Sequence, residues 1–336
     1  MPEWLFEAGI GEDRAALIED SEIVEMLIDR HDGRPRVGAV MPAKLMTRLP
    51  NSDRSILMLG ISGDGEAVGR MPATLTVGQQ LLVTVVRETI DEPGNRKAPV
   101  VKPADVSATI SDGPSLLERI RADGCPIVNL QAHDDDQMEK FGWSDRLAEA
   151  ESGIIPFDGG MLRMALTPAM TLFDVDGSLA QADLSIAGAA AVAKTMRCFD
   201  IGGSVGVDLP IPHAAGKALK HAIAAKVDAL LPQPFERTSV NGFGFLQIVR
   251  RRLRKSIPEL VQDDPVTAAA LSLLRRAERS SGRGALTLIA APAVIRRISS
   301  EQGWQNDLAR RRGAIVYLSE KAGAAISDIH VQTEHP

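Results

Sequence analysis

The chain has 336 residues, 44% hydrophobic and 24% charged, a composition of ordinary globular material that excludes disorder and leaves room for two or three domains. Its formal charge of -6 conceals a gradient, because residues 1–159 hold 16 basic and 28 acidic side chains while residues 160–336 hold 22 and 16. The total argues against a nucleic-acid partner; the distribution does not. No Phe, Tyr or Trp lies between Phe6 and Phe141, yet residues 34–102 have the rhythm of a small β-barrel. Short apolar runs at Arg36–Met41, Ser55–Gly60, Glu66–Gly69 and Gln80–Val86 are separated by turn clusters at Pro50–Asp53, Ser62–Gly65 and Asp91–Asn95. Some five strands so punctuated suit an OB-type barrel, although spacing alone leaves an SH3-like barrel open.

Residues 105–142 read as a connector with a helix at Ser115–Ala122, a short strand at Pro126–Leu130 and a solvated turn at His133–Gln137. From about residue 154 strands and helices alternate. The spacing predicts strand Met170–Val175, helix Leu184–Cys198, strand Ser204–Leu209, helix His213–Leu231 and strand Arg237–Val240. After Asn241–Gly244 it predicts a basic helix through Lys255. This alternation implies an α/β unit with helices covering the sheet. The tail from Pro265 reads as a separate module: helix Ala268–Arg279, strand Ala285–Ala290, helix Pro292–Ser299 and strand Gly313–Leu318.

Two predicted strands end in aspartates, Asp174 with Asp176, and Asp208. In open α/β sheets ligand sites gather at the carboxyl ends of strands, so these groups converge if their strands are neighbours. Paired hard carboxylates repel unless a cation lies between them, and Mg²⁺ or Mn²⁺ suits such a pair and can activate water for phosphoryl chemistry. The plainer reading is that they cap the following turns. Arg250, Arg251, Arg252, Arg254 and Lys255 either complement a helix dipole or contact phosphates; five cations in six residues exceed what a dipole needs. His213 and His221, eight apart on one predicted helix, read as surface residues, and no G-x-S-x-G elbow accompanies them. Cys125 and Cys198 supply neither a disulfide scaffold nor a CxxC zinc pair and read as reduced packing residues. Glu3 and Glu7 stand where a signal peptide needs cations, and the longest run of small apolar residues, Ile186–Ala193, is far short of a membrane span. A cytoplasmic protein without a membrane partner is expected.

Residues 167–255 resemble the catalytic region of the ribonuclease E/G family of single-strand RNA endonucleases. The resemblance is carried by Asp174-Val175-Asp176-Gly177-Ser178, the Ala-rich helix, Arg197 through Gly203, Val207-Asp208, and Ser239 through Leu246 running into Arg250–Arg254. It implies that Asp174 and Asp208 are metal ligands for Mg²⁺, with Asp176 at a supporting position usually held by Asn. It also implies a ribonuclease-H-like and DNase-I-like α/β core: residues 1–33 with 143–168 as one subdomain, an inserted OB barrel at 34–105, the catalytic unit at 169–262 and a small C-terminal domain at 265–336. Single-stranded RNA would be the partner, contacted by Arg96, Lys97, Lys102, Arg197, Arg250, Arg251 and Arg254. Residues 106–142 are too few for the family's 5′-end sensor, the zinc-sharing cysteines are missing, and Gly242 stands where Arg is expected. These departures imply no zinc, no zinc-linked oligomer and reduced RNA affinity. Two competing readings remain, a catalytically degenerate RNA-binding protein on the same scaffold and a haloacid-dehalogenase-type phosphatase with Asp174 as nucleophile.

Overall fold

Three apolar strands open the chain: β1 (Glu3–Ala8), β2 (Glu12–Glu19) and β3 (Glu22–Arg30) form an antiparallel meander. Asp20 and Ser21, both at positive φ, make the two-residue turn whose twist matches the flanking strands. This computed structural model describes residues 1–60, 65–92, 94–212 and 215–335. The Ser62–Asp64 part of one expected turn, Pro93 of another, and His213 lie outside the described residues.

The chain then leaves for a closed five-stranded barrel built from β4 (Val40–Arg48), β5 (Arg54–Leu59), β6 (Gly65–Arg70), β7 (Gln80–Arg87) and, after the hairpin β8 (Ile90–Glu92) and β9 (Asn95–Lys97), β10 (Val100–Pro103). Its buried core is wholly non-aromatic, with Ala39, Ala43, Leu45, Leu57, Leu59, Ala67, Val83, Val85 and Val101 among its members. Closure occurs where β6 meets β10 in parallel, and there Gly69 is required: a Cβ would lie 2.2 Å from the Val101 carbonyl oxygen.

Beyond the barrel the chain returns to the first sheet. Helix α1 (Leu116–Arg121), started by a Ser115–Glu118 capping box, packs Leu116 and Ile120 against Trp4, Phe6, Ala15 and Leu17. Strand β11 (Ile127–Asn129) then pairs in parallel with β1, completing a sheet of order β11-β1-β2-β3. The expected solvated turn after it is only partly one, because Asp136 caps α2 (Gln137–Lys140) and binds Arg275 and Arg279.

Helix α3 (Trp143–Ser152) leads into the largest sheet, of order β12-β13-β14-β15-β17-β16. Its elements in chain order are β12 (Ile154–Phe157), β13 (Gly160–Leu166), β14 (Thr171–Gly177), α4 (Gln181–Cys198), β15 (Gly203–Asp208), α5 (Lys217–Leu230), β16 (Phe235–Arg237) and β17 (Phe245–Arg250). Two expectations are corrected. Residues 143–168 do not complete the first sheet; β12 and β13 pair within this one, and β11 from the connector fills that place. Nor is there a basic helix before Lys255. Residues 245–250 alternate, with Leu246 and Ile248 buried, so β17 lies between β15 and β16, and residues 251–255 are loop. Hydrophobic period two outweighs the cluster of cations.

Helix α4 lies between the two sheets. Its small residues, Gly188, Ala189 and Ala193 among them, let it pack closely between Ile18, Ile23 and Met26 on one side and Phe173, Val175 and Val207 on the other. A Cβ on Gly188 would sit 2.4 Å from a methyl of Val175. One face of the six-stranded sheet is thereby sealed, leaving the opposite face open.

The tail is α6 (Ile257–Gln262), α7 (Pro265–Arg279), β18 (Arg283–Ala290), α8 (Pro292–Ser300), α9 (Gln302–Arg312), β19 (Val316–Glu320) and β20 (His330–His335), with a sheet of order β19-β18-β20 and its own apolar core. Among the described residues, no helix is long and apolar enough to cross a membrane.

Candidate active site

Asp174 and Asp208 are direct register partners on the neighbouring parallel strands β14 and β15. Parallel neighbours in register, about 4.8 Å apart, present their side chains on the same face, and both aspartates are exposed while Phe173, Val175 and Val207 point into the core. Asp176, two residues along β14, shares that face. The row continues across the sheet as Arg163–Asp174–Asp208–Phe245.

Partial desolvation, followed by repulsion from Asp176 and Asp208, raises the Asp174 carboxyl above its usual value despite the nearby Arg163. Asp176 has a cation of its own: Arg163 Nε donates to it at 2.9 Å. The extra negative charge expected from Asp in place of Asn is thus largely neutralised by β13. Neither Asp174 nor Asp208 takes part in any ion pair or side-chain hydrogen bond among the described residues. The capping alternative does not describe them, since α4 and α5 begin at Ala180 and Gly216 without side-chain caps.

Among the described residues no cluster of three or more His, Cys, Asp or Glu side chains is arranged to hold a metal ion. The donor set here is two carboxylates, with the third held by Arg163, and two fit Mg²⁺, which keeps several waters and takes one or two carboxylates. Asp263 and Asp264, after α6, are each tied to other residues. Asp263 binds Lys255 at 2.9 Å and Asp264 accepts from the Thr267 N–H as a helix cap.

The seven expected RNA contacts divide sharply. Arg197 is held by Glu25 at 2.8 Å and Glu19 at 3.5 Å, and Arg250 by Asp200 at 3.3 Å. Arg254 lies between Asp200 and Glu88, and Lys97 binds Glu92 at 2.6 Å. These four are structural ties. Lys102 and Arg251 are exposed with no ion pair among the described residues, and Arg96 is exposed with one long pair to Asp91 at 3.5 Å.

Three site residues were not legible as such in the sequence. Arg163 is visible only once β13 is known to lie beside β14. Phe243 is 91% exposed on the turn before β17, and Phe245 stands beside Asp208. Their signal was available in Asn241-Gly242-Phe243-Gly244-Phe245, a turn carrying aromatics where turns are ordinarily polar. His221 is on the exposed side of α5, and Cys198 is buried, which pushes its thiol up to about 12 and leaves it inert. Comparison of the chain with protein-family models and with curated proteins finds no match.

Proposed function

We propose that this chain is a Mg²⁺-dependent endoribonuclease of the ribonuclease E/G kind, cutting single-stranded RNA by attack of water on a phosphodiester. The observation that carries the reading is the in-register pair Asp174–Asp208 on an open sheet face, neither of them in an ion pair among the described residues. Two further features support it. The barrel order β4-β5-β6-β10-β7, in which β6 and β10, third and fifth in chain order, are parallel, suits the OB-type barrel expected at 34–105. A meander with a parallel fourth strand suits a ribonuclease-H-like opening subdomain.

Asp174 and Asp208 would hold the ion, and Mn²⁺ would serve as well as Mg²⁺. Bound there, it would supply an activated water and neutralise charge on the phosphoryl group. Asp176 is anchored by Arg163 through one oxygen, which leaves the other to orient a water. Arg251 and Lys102, exposed and without an ion pair among the described residues, and Arg96, with one long pair, can meet phosphates.

Purified protein with Mg²⁺ should cut unstructured RNA to 5′-phosphate and 3′-hydroxyl products, and Asp174→Asn or Asp208→Asn should each abolish cutting. Activity surviving both substitutions would overturn the assignment. A second reading, a non-catalytic RNA-binding protein, is favoured by Gly242 and by the aromatic-free barrel, since stacking on rings contributes about 1–3 kcal/mol per base. Salt-sensitive RNA binding with no cleavage at any Mg²⁺ concentration would select it.

A further inference from the structure

We propose that Phe243 is a base-stacking residue, receiving an unpaired nucleobase beside the Asp174–Asp208 pair. The inference rests on the nuclease reading for its substrate class and adds what makes the site one for single strands.

A Phe left 91% exposed forgoes the burial that ordinarily stabilises a fold. A ring on a loose tip would mean little, but the backbone that carries this one is fixed. The Asn241 side-chain oxygen accepts from the Phe243 N–H at 2.8 Å and the Phe245 N–H at 3.0 Å, closing an Asx turn. Lys220 Nζ donates to the Asn241 carbonyl at 2.9 Å, tying the turn to α5. Gly244, at φ +89°, lies so close to the Leu209 carbonyl that a Cβ would come within 2.2 Å of it, and its own carbonyl accepts from the Leu209 N–H at 3.2 Å. The turn is therefore pinned to the residue directly after Asp208.

The floor beside it is apolar as well. The Phe245 ring lies across Gly206, where a Cβ would sit 2.5 Å from the ring and 2.9 Å from the Leu172 side chain. Two aromatic residues thus flank the end of β15 that carries Asp208. An exposed aromatic could instead anchor a protein partner. The neighbouring carboxylates Asp174 and Asp208 favour the nucleotide, because with the divalent cation of the nuclease reading between them they meet an anionic phosphate while the ring meets the base of the same residue. A duplex covers the faces of its bases, so only an unpaired base can use such a ring.

The test uses the full chain with Ca²⁺ in place of Mg²⁺ and a short single-stranded oligoribonucleotide carrying 2-aminopurine. Wild type and Phe243→Trp should bind it and quench its fluorescence. Phe243→Ala should bind about tenfold more weakly without quenching, and Phe243→Leu, apolar but not aromatic, should resemble it, with thermal melting unchanged in all. Binding and quenching by Phe243→Ala equal to wild type would overturn the proposal, as would self-association lost in Phe243→Ala with RNA binding intact. The two readings fail separately. Quenching that depends on Phe243 in a protein that never cuts with Mg²⁺ upholds stacking and removes the nuclease. Cutting with an unchanged KM in Phe243→Ala upholds the nuclease and removes stacking.

Discussion

At the scale of single residues, the acidic cluster works against stability. The Asp174 carboxyl is raised by desolvation and by Asp176 and Asp208, so its ionisation is less favourable in the folded chain than in the unfolded one. The sign follows from linkage: the contribution is fully present below the unfolded carboxylate value and is lost as pH rises through the folded value. At neutral pH the metal-free protein therefore carries an unrelieved repulsion, screened because the group is exposed. Asp174→Asn should raise the melting temperature of the metal-free protein at pH 7, with a gain of roughly 0.2–1 kcal/mol typical of exposed charge pairs. Mg²⁺ should raise the melting temperature of wild type more than that of the variant. A variant that melts lower than wild type without metal would contradict the repulsion.

Elements decide what the sequence could reveal. The strands carrying Asp174 and Asp208, the helix between them and three barrel strands are legible, because each is a local hydrophobic pattern bounded by turn residues, whereas β4 lies mostly beyond the run expected at Arg36–Met41. Strand β17 was open to the same reading, since Leu246 and Ile248 alternate with outward Phe245, Gln247 and Val249, but the cations that follow suggested a helix. What no local pattern holds is the neighbour. Arg163 beside Asp176, Glu92 beside Arg252 and Glu25 beside Arg197 are pairings set by sheet order and docking. Helix α4 gives the element-scale test. Helix propensity alone would have Gly188→Ala gain about 1 kcal/mol. The Cβ, however, would meet Val175 at 2.4 Å, and overpacking costs about 1–3 kcal/mol. Denaturant unfolding should show net destabilisation, and cleavage should weaken as β14 shifts; a stabilised variant would refute the close helix–strand contact.

Across the whole molecule, the charge gradient becomes a set of internal ties. Acids of the first half receive basic residues of the second: Glu19 and Glu25 take Arg197, Glu92 takes Arg252, Glu88 takes Arg254, and Glu7 takes Arg275 and Arg279. Much of the basic excess that suggested RNA is thus neutralised within the fold. The deepest tie is Glu7, 6% exposed, where burial pushes the carboxyl up but Arg14, Arg275 and Arg279 together hold it below its usual value. Its stabilisation is present above the unfolded carboxylate value and lost as pH falls through the depressed folded one. Glu7→Ala leaves these arginines short of a partner in a buried setting and should cost about 3–5 kcal/mol. Melting followed from pH 7 to acid should fall less steeply in the variant; an unchanged melting temperature at pH 7 would show the network to be idle.

That tie also sets an order of events during synthesis. Arg14 reaches Glu7 within the first hairpin, but Arg275 lies 268 residues farther along and Arg279 lies 272. At about 5–20 residues per second, their arrival is delayed by about 13–54 s. Through that interval the opening sheet can assemble its strands but not complete its charge balance. The C-terminal module therefore supplies the last of these partners, and a chain broken off before α7 carries an N-terminal sheet that lacks two of its three arginine partners for Glu7.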